Sequence, residues 1–309
     1  MREKKAFQFR SSGEERARFV QALPSLNDGA APSGPLGTSV SSAPMIEGTL
    51  PSASASPPER ARPRFVDWVF TPPFLVAFGA TLLIFDPLQR AARLLGERPH
   101  EYVVGAMQRA LVWALRVGGT RFEIECSDAV RPRTGYLLVA NHQSMFDIPI
   151  LGSTLFSNFP KYVAKRELAR WIPSISYNLR RGGNVLIDRG DREQATAAIR
   201  ALGSQVQARG VSAVIYPEGT RARSGALGPF KPAGTIALME AAPDLPVVPV
   251  AIDGAWCLLR FGLRPMPFGT CVRVKIGAPI ARRPDEDARG LLLEVREQIE
   301  KTLAVWRSE

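Results

Sequence analysis

From Gly119 onward the sequence alternates between short apolar runs and stretches of helical periodicity, and this alternation constrains the fold more than any other feature. The apolar runs are Tyr136–Ala140, Tyr162–Ala164, Val185–Ile187, Ser212–Tyr216, Val247–Asp253 and Val272–Ile276. Continuous apolar runs of this length read as strands covered on both faces, as in parallel sheets. Helical patterns lie between them at Arg192–Ala208 and Ala233–Ala241. A last helix over Asp285–Trp306 puts Leu292, Val295, Ile299 and Leu303 on one face. The pattern predicts an α/β domain over residues 118–309, with a mostly parallel central sheet flanked by helices. Ligands of such sheets sit beyond the carboxyl ends of the strands, so the polar segments that follow each run are the places to look for chemistry.

The chain before this domain divides in two. Residues 1–60 form a basic arm rich in Pro, Ser and Ala, with too few large apolar residues to offset the entropy of ordering. No apolar segment follows the early charges as a secretory signal would require. Residues 61–117 read as a membrane-associating helical segment. Its uncharged stretch, Val69 to Phe85, is 17 residues long, at the lower edge of a membrane span. Pro72 and Pro73 are expected to shorten the helix further. Arg60, Arg62 and Arg64 precede it and Arg90 and Arg93 follow, so positive charge flanks both ends. That distribution suits a segment that dips into one leaflet better than one that crosses. The other reading is a buried core helix. A second helix, Glu101–Arg116, repeats Val104, Met107, Leu111 and Leu115 at helical spacing; Trp113 beside them fits either a headgroup boundary or a core.

The net charge of +11 and isoelectric point near 10.1 call for an anionic partner without saying whether it is a phospholipid surface, a phosphorylated substrate or nucleic acid. Three widely spaced cysteines, Cys126, Cys257 and Cys271, read as buried thiols in a reducing compartment. With only two histidines, His100 and His142, a His-rich metal site is excluded.

His142 follows the run ending at Ala140, inside Asn141-His142-Gln143-Ser144-Met145-Phe146-Asp147. Ser144 and Asp147 have the spacing of a capping box, which makes Ser144 the expected N-cap and places Asp147 in the first helical turn. On one continuous helix His142 and Asp147 would point about 140° apart. They meet only if His142 lies outside the helix and the chain turns back. Asp147 then accepts from one ring nitrogen and leaves the other as a general base. The plainer reading is a capping carboxylate beside a polar turn residue.

This segment resembles the first motif of the glycerolipid acyltransferase family, whose best-known members are the lysophosphatidic acid acyltransferases, and later blocks resemble that family in order from about Gly135 to Pro279. Val163-Ala164-Lys165-Arg166-Glu167-Leu168 and Gly183-Asn184-Val185-Leu186-Ile187-Asp188-Arg189 resemble the second block. Tyr216-Pro217-Glu218-Gly219-Thr220-Arg221 resembles the third, with Tyr in place of Phe and with Ala222 where a Ser often follows. Val247-Val248-Pro249-Val250 resembles the fourth, and Gly277-Ala278-Pro279-Ile280 the closing segment.

The resemblance implies that His142 and Asp147 are catalytic. It implies that Lys165, Arg189, Glu218, Gly219, Thr220 and Arg221 face the acceptor's phosphate. Arg221 is the first choice, because its planar fork matches a phosphate. Glu218 would bind a hydroxyl or hold Arg221. Val248 and Pro249 are implied on the acyl-donor side, although Pro249 lacks a ladder donor and by itself predicts an edge or a bulge. The implied reaction moves an acyl group from acyl-CoA or acyl carrier protein to a lysophospholipid at a bilayer, on the cytoplasmic face of the cell membrane, with no metal or other cofactor. The leading acceptor is 1-acylglycerol 3-phosphate; a lyso-ornithine lipid, another lysophospholipid or glycerol 3-phosphate are the alternatives. No Gly-x-Ser-x-Gly elbow supports a serine hydrolase. No nucleic-acid motif accompanies the charge, so a nucleic-acid partner is not expected.

Overall fold

Two long helices lead into the sheet. The computed structural model describes residues 62–188, 190–282 and 287–308; the arm and Arg189 lie outside the described residues. The first helix, α1, is Phe65–Leu95, and the second, α2, is Glu97–Val117. Gly96 alone joins them, at a φ of 130° that favours glycine, and the one-residue link folds the helices into a hairpin.

α1 begins earlier and ends later than the apolar stretch predicted, and Pro72, Pro73 and Pro87 all lie inside it. A proline in a helix interior costs ~3 kcal/mol because it removes an N–H and crowds the preceding turn. Here the turn before the prolines is held from outside. Asp67 accepts from the backbone of Arg64 at 2.7 Å and of Phe268 at 2.9 Å, and Thr71 Oγ1 accepts from Met266 N at 2.8 Å. Just beyond the prolines Phe74 is fully buried. Tertiary contacts therefore carry the helix through the break that local sequence predicts. α2 starts at Glu97, four residues before the predicted start, since Pro99 falls in the first turn, where its missing N–H has no helical partner to lose. Trp113 is 61% exposed, which removes the core reading for it.

The remaining elements alternate as expected. They are β1 Arg121–Cys126, β2 Leu137–Ala140, α3 Asp147–Thr154, β3 Lys161–Lys165, α4 Ile175–Arg181, β4 Val185–Ile187, α5 Arg192–Arg209, β5 Ala213–Ile215, α6 Pro232–Ala241, β6 Val247–Asp253, β7 Cys271–Ile276 and α7 Ala288–Ser308. The seven-stranded sheet runs β1-β7-β6-β2-β5-β3-β4, and only the β6–β7 pair is antiparallel. It is thus a mostly parallel, mixed sheet flanked by helices.

Both faces of β2 are covered, which is why its sequence is apolar throughout. Leu138 and Ala140 join Phe74, Leu115, Phe146 and Ile150 in a core beneath α1, α2 and α3. Leu137 and Val139 join Leu202, Leu238 and Val295 in a second core beneath α5, α6 and α7.

Two readings are refined. Of the edge and the bulge that Pro249 predicts, the edge does not hold, because β6 sits between β7 and β2, but the bulge does: Val250 pairs with Ile276 and Val247 with Ile280, so residues 277–279 face 248–249. The antiparallel ladder with β7 begins at Val250↔Ile276, and Pro249 O accepts from Gly277 N at 2.9 Å just where β7 has ended. Its missing N–H therefore faces the end of that ladder. The cysteines are not all buried either: Cys126 is exposed, and Cys257 and Cys271 are half-buried. Cys126 ends β1, an edge strand whose outward residues have no covering layer.

Candidate active site

The carboxyl end of β2 is the centre of the polar cluster. Asn141, the first residue past the strand, donates Nδ2–H to Ile252 O at 2.8 Å and accepts Ile252 N–H on Oδ1 at 2.7 Å. This double bond to β6 fixes where the chain leaves the sheet. His142 follows, held through its backbone: its N–H donates to Glu218 Oε1 at 2.7 Å and its carbonyl accepts from Ala222 N at 2.7 Å. The chain then turns through Gln143–Phe146 before α3 begins at Asp147.

His142 and Asp147 meet across this turn. Nδ1 lies 2.7 Å from Asp147 Oδ2, and the same oxygen accepts from Gln143 N at 2.7 Å and Ser144 N at 2.9 Å. Asp147 is fully buried, while the His142 side chain keeps 13% of its surface. A carboxylate at Nδ1 keeps the proton of a neutral imidazole there and leaves the lone pair on Nε2. Nε2 makes no hydrogen bond among the described residues.

Ser144 is not the N-cap. Phe146 holds that position in a helical conformation, and Ser144 Oγ accepts from Phe146 N at 3.3 Å. Asp147 does reach back to the Ser144 backbone, the carboxylate half of a capping box, but the same oxygen is shared with the imidazole.

The segment after β5 closes over His142. The Tyr216 ring stacks on the imidazole with centroids 4.1 Å apart and an 18° interplanar angle. Burial pushes the Tyr216 phenol well above its ordinary pKa, and the nearby Asp147 and Tyr162 add to this. Glu218 is buried, and each carboxylate oxygen accepts a backbone N–H, Oε1 from His142 and Oε2 from Gly228 at 2.9 Å. Burial raises its pKa against the lowering effect of those two donors. Glu218 therefore braces the His142 loop and does not hold Arg221, as the sequence had allowed. Gly219 takes a φ of 68°, and a Cβ there would sit 3.5 Å from Lys231 Nζ, so the ammonium lies over the turn. Thr220 and Arg221 are exposed, and Arg221 has no hydrogen bond or ion pair among the described residues.

A brace from the last helix completes the cluster and was not foreseen. Gln143 Nε2 donates to Asp253 Oδ1 at 3.1 Å and Gly225 O at 3.2 Å; Arg307 Nη2 donates to Gly225 O at 2.6 Å and Asp253 Oδ1 at 3.3 Å. Nothing in the sequence around Arg307 marks it, because its partners lie 54 and 82 positions away.

The other predicted residues are more dispersed. Lys165 ends β3, with β5 between it and β2, and its side chain is exposed at the carboxyl edge of the sheet. Val248 and Pro249 are sheet residues: Val248 is wholly buried in the core beneath α1–α3, and Pro249 is buried against Gly277. Both side chains are packed inside the described fold.

Residues 121–253 match the family model described as Acyltransferase. The 1-acyl-sn-glycerol-3-phosphate acyltransferase of Cocos nucifera is 31% identical over 173 residues, covering 56% of this chain and 53% of that protein. The chain thus spans about half the length of that relative. A protein of the same description from Pseudomonas aeruginosa is 28% identical over 211 residues, covering 68% of this chain and 77% of its own length. The crystal structure of the 1-acyl-sn-glycerophosphate (LPA) acyltransferase PlsC from Thermotoga maritima shares the fold, with a TM-score of 0.65 at 22% identity over 79% of this chain and 97% of that one.

Proposed function

We infer, from a domain at residues 121–253 that belongs to the acyltransferase family, that this chain moves an acyl group from a thioester to the free hydroxyl of a lysophospholipid. The observation that carries the reading is the 2.7 Å contact between His142 Nδ1 and Asp147 Oδ2, with Nε2 unengaged. Nε2 takes the proton of the acceptor hydroxyl, and Asp147 stabilises the imidazolium that forms. The oxygen attacks the thioester carbonyl, the tetrahedral adduct collapses, and the C–S bond breaks. The imidazolium returns its proton to the departing thiolate, so no acyl-enzyme forms. A positioned base of this kind contributes about 10²–10⁴-fold.

The acceptor that fits best is 1-acylglycerol 3-phosphate, giving phosphatidic acid. The descriptions of the relatives support it, as do the exposed guanidinium of Arg221, unpartnered among the described residues, and the ammonium of Lys231 over the Gly219 turn. Acyl-CoA and acyl carrier protein both satisfy the donor chemistry. A bilayer partner is supported by α1, the one helix among the described residues that is long and apolar enough to cross a membrane.

Purified protein in detergent, assayed with both donors against a panel of lysolipids, tests the reading. His142→Ala is expected to lower turnover by at least ~10² with an unchanged thermal transition; near-normal turnover would exclude His142 as the base. Arg221→Lys keeps the charge and loses the fork. It should raise KM for a phosphorylated acceptor with little change in kcat, and an unchanged KM would assign the phosphate to another cation.

A further inference from the structure

The exposed surface holds a tryptophan for which the proposed chemistry has no use. Trp171 is 95% exposed, in a segment between β3 and α4 that is far from loose. Ser174 Oγ donates to Leu82 O at 2.6 Å and Ser174 N to Asp86 Oδ1 at 2.7 Å, tying the segment to α1. Ser176 Oγ accepts from Ile172 N and donates to Leu168 O, both at 3.0 Å, and Arg180 Nη1 donates to Ala169 O. Ile172 packs into the small core of Leu82, Met107 and Leu111 beneath α1 and α2. Both Trp171 and Ser174 have positive φ, at 68° and 60°, a region unfavourable to a non-glycine residue. The backbone is thus fixed in an unfavourable conformation, with a bulky aromatic directed outward.

The surroundings identify what covers it. Leu168 is also exposed, and Arg166, Arg170, Arg180 and Arg181 are exposed around it, against the single carboxylate of Glu167 within the same stretch. Next to the anchoring Leu82, α1 presents Leu83 and Ile84 outward. Ser174 thus fixes the Trp171 segment to α1 within a turn of its exposed apolar residues. An indole with an apolar body and a polar N–H favours a headgroup boundary, and clustered arginines favour anionic lipid.

We propose that the segment from Arg166 to Pro173 is a second membrane contact, which seats Trp171 in the headgroup region of an anionic bilayer beside α1. This rests on the reading of α1 as membrane-seated. An acidic carrier protein would match the charge, but it would not explain the packing of the segment onto the apolar helix.

The full chain reconstituted into vesicles tests this by tryptophan quenching. The vesicles carry phosphatidylcholine with or without phosphatidylglycerol, with bromine on the acyl chains near the headgroups. Emission lost in Trp171→Phe, relative to wild type, is the share of Trp171. The expected result is that this share is quenched by brominated lipid and shielded from aqueous iodide. The quenching should need phosphatidylglycerol, and Arg166→Gln with Arg170→Gln should abolish that dependence. If the Trp171 share is open to iodide while Trp68 and Trp113, on α1 and α2, are quenched by lipid, this proposal fails and the membrane reading of α1 stands. If brominated lipid quenches no tryptophan, both fail. Shielding from iodide that appears only when an acidic carrier protein is added also overturns the proposal.

Discussion

Two side chains act on the imidazole of His142 from different directions, and they contribute differently. Asp147 bonds to Nδ1 in the ring plane, whereas Tyr216 covers one ring face. The Tyr216 hydroxyl is buried and has no hydrogen-bond partner among the described residues, so what it offers His142 is the aromatic surface. Phenylalanine keeps that surface and removes a buried hydroxyl, whose unsatisfied burial costs about 1–3 kcal/mol. Tyr216→Phe should therefore leave kcat within about twofold and leave stability unchanged or higher by ~1 kcal/mol. Tyr216→Ala opens the ring face and should lower kcat while KM for the acceptor changes little. Steady-state kinetics with thermal unfolding on both variants checks this. A large loss of kcat in the phenylalanine variant would mean that the hydroxyl itself takes part.

At the scale of elements, the joint between α2, β3 and α5 is built from charges. Glu101 of α2 accepts from Lys161 of β3 and Arg209 of α5, both at 2.6 Å, with Glu101 and Lys161 almost fully buried. His100 lies against this group. Burial, with Lys161 and Arg93 adding to it and Glu101 and Glu97 opposing, pushes its pKa down to about 4. An unfolded histidine titrates near 6.5. Between those values the unfolded chain binds a proton that the folded protein refuses. The His100 contribution to stability is therefore fully present above about 6.5 and is lost progressively as pH falls toward about 4. Denaturant unfolding at a series of pH values should show a shallower acid decline in His100→Gln than in wild type, and parallel declines would contradict the assignment. This joint is not legible in the sequence, because its members lie 60 and 108 positions apart. What was legible was local. Every apolar run became a strand; for β2, β5 and β6 the reason is that two-sided burial leaves little room for polar residues, whereas β7 alternates, with Val272, Val274 and Ile276 buried and Lys275 exposed. β1 does not read as an apolar run because it is charged and lies at an edge. Yet its alternation of Phe122 and Ile124 with Arg121, Glu123 and Glu125 was a readable signal, and Glu123 pairs with Arg273 across to β7 at 2.9 Å. At the candidate site the loop after β2 could be anticipated, since a strand end and a turn suffice to bring His142 to Asp147. The role of Glu218 could not, because its partners are backbone amides that leave no mark on composition.

For the molecule as a whole, the question is whether α1 is an attachment or a structural part of the domain. Phe74 and Phe78 of α1 meet the ring of Phe146 edge-on at 6.2 Å and 6.1 Å, and Phe146 immediately precedes Asp147. Phe74, Phe146, Leu138 and Val250 belong to one core, so the helix supporting the membrane reading also packs behind the candidate site. A detachable anchor could be removed to release a soluble, active domain. A helix that shares the core could not, because its removal would expose the Phe146 face and free the chain at Met266 and Phe268 that Asp67 and Thr71 hold. A chain beginning at Glu97 should therefore fail to show a cooperative thermal transition by circular dichroism, and should lack acyl transfer even to a short-chain acceptor that needs no bilayer. A chain beginning at Arg62 keeps every contact described and serves as the reference. The substitution Phe74→Ala separates packing from membrane seating, since it leaves the outward face of α1 intact. It should cost about 3–5 kcal/mol, as truncation of a fully buried aromatic does, and should reduce kcat through the loosened Phe146–Asp147 turn while vesicle binding is retained. If the chain starting at Glu97 proved soluble, cooperative and active, α1 would be an appendage after all, and the shared core would contribute nothing to holding the site.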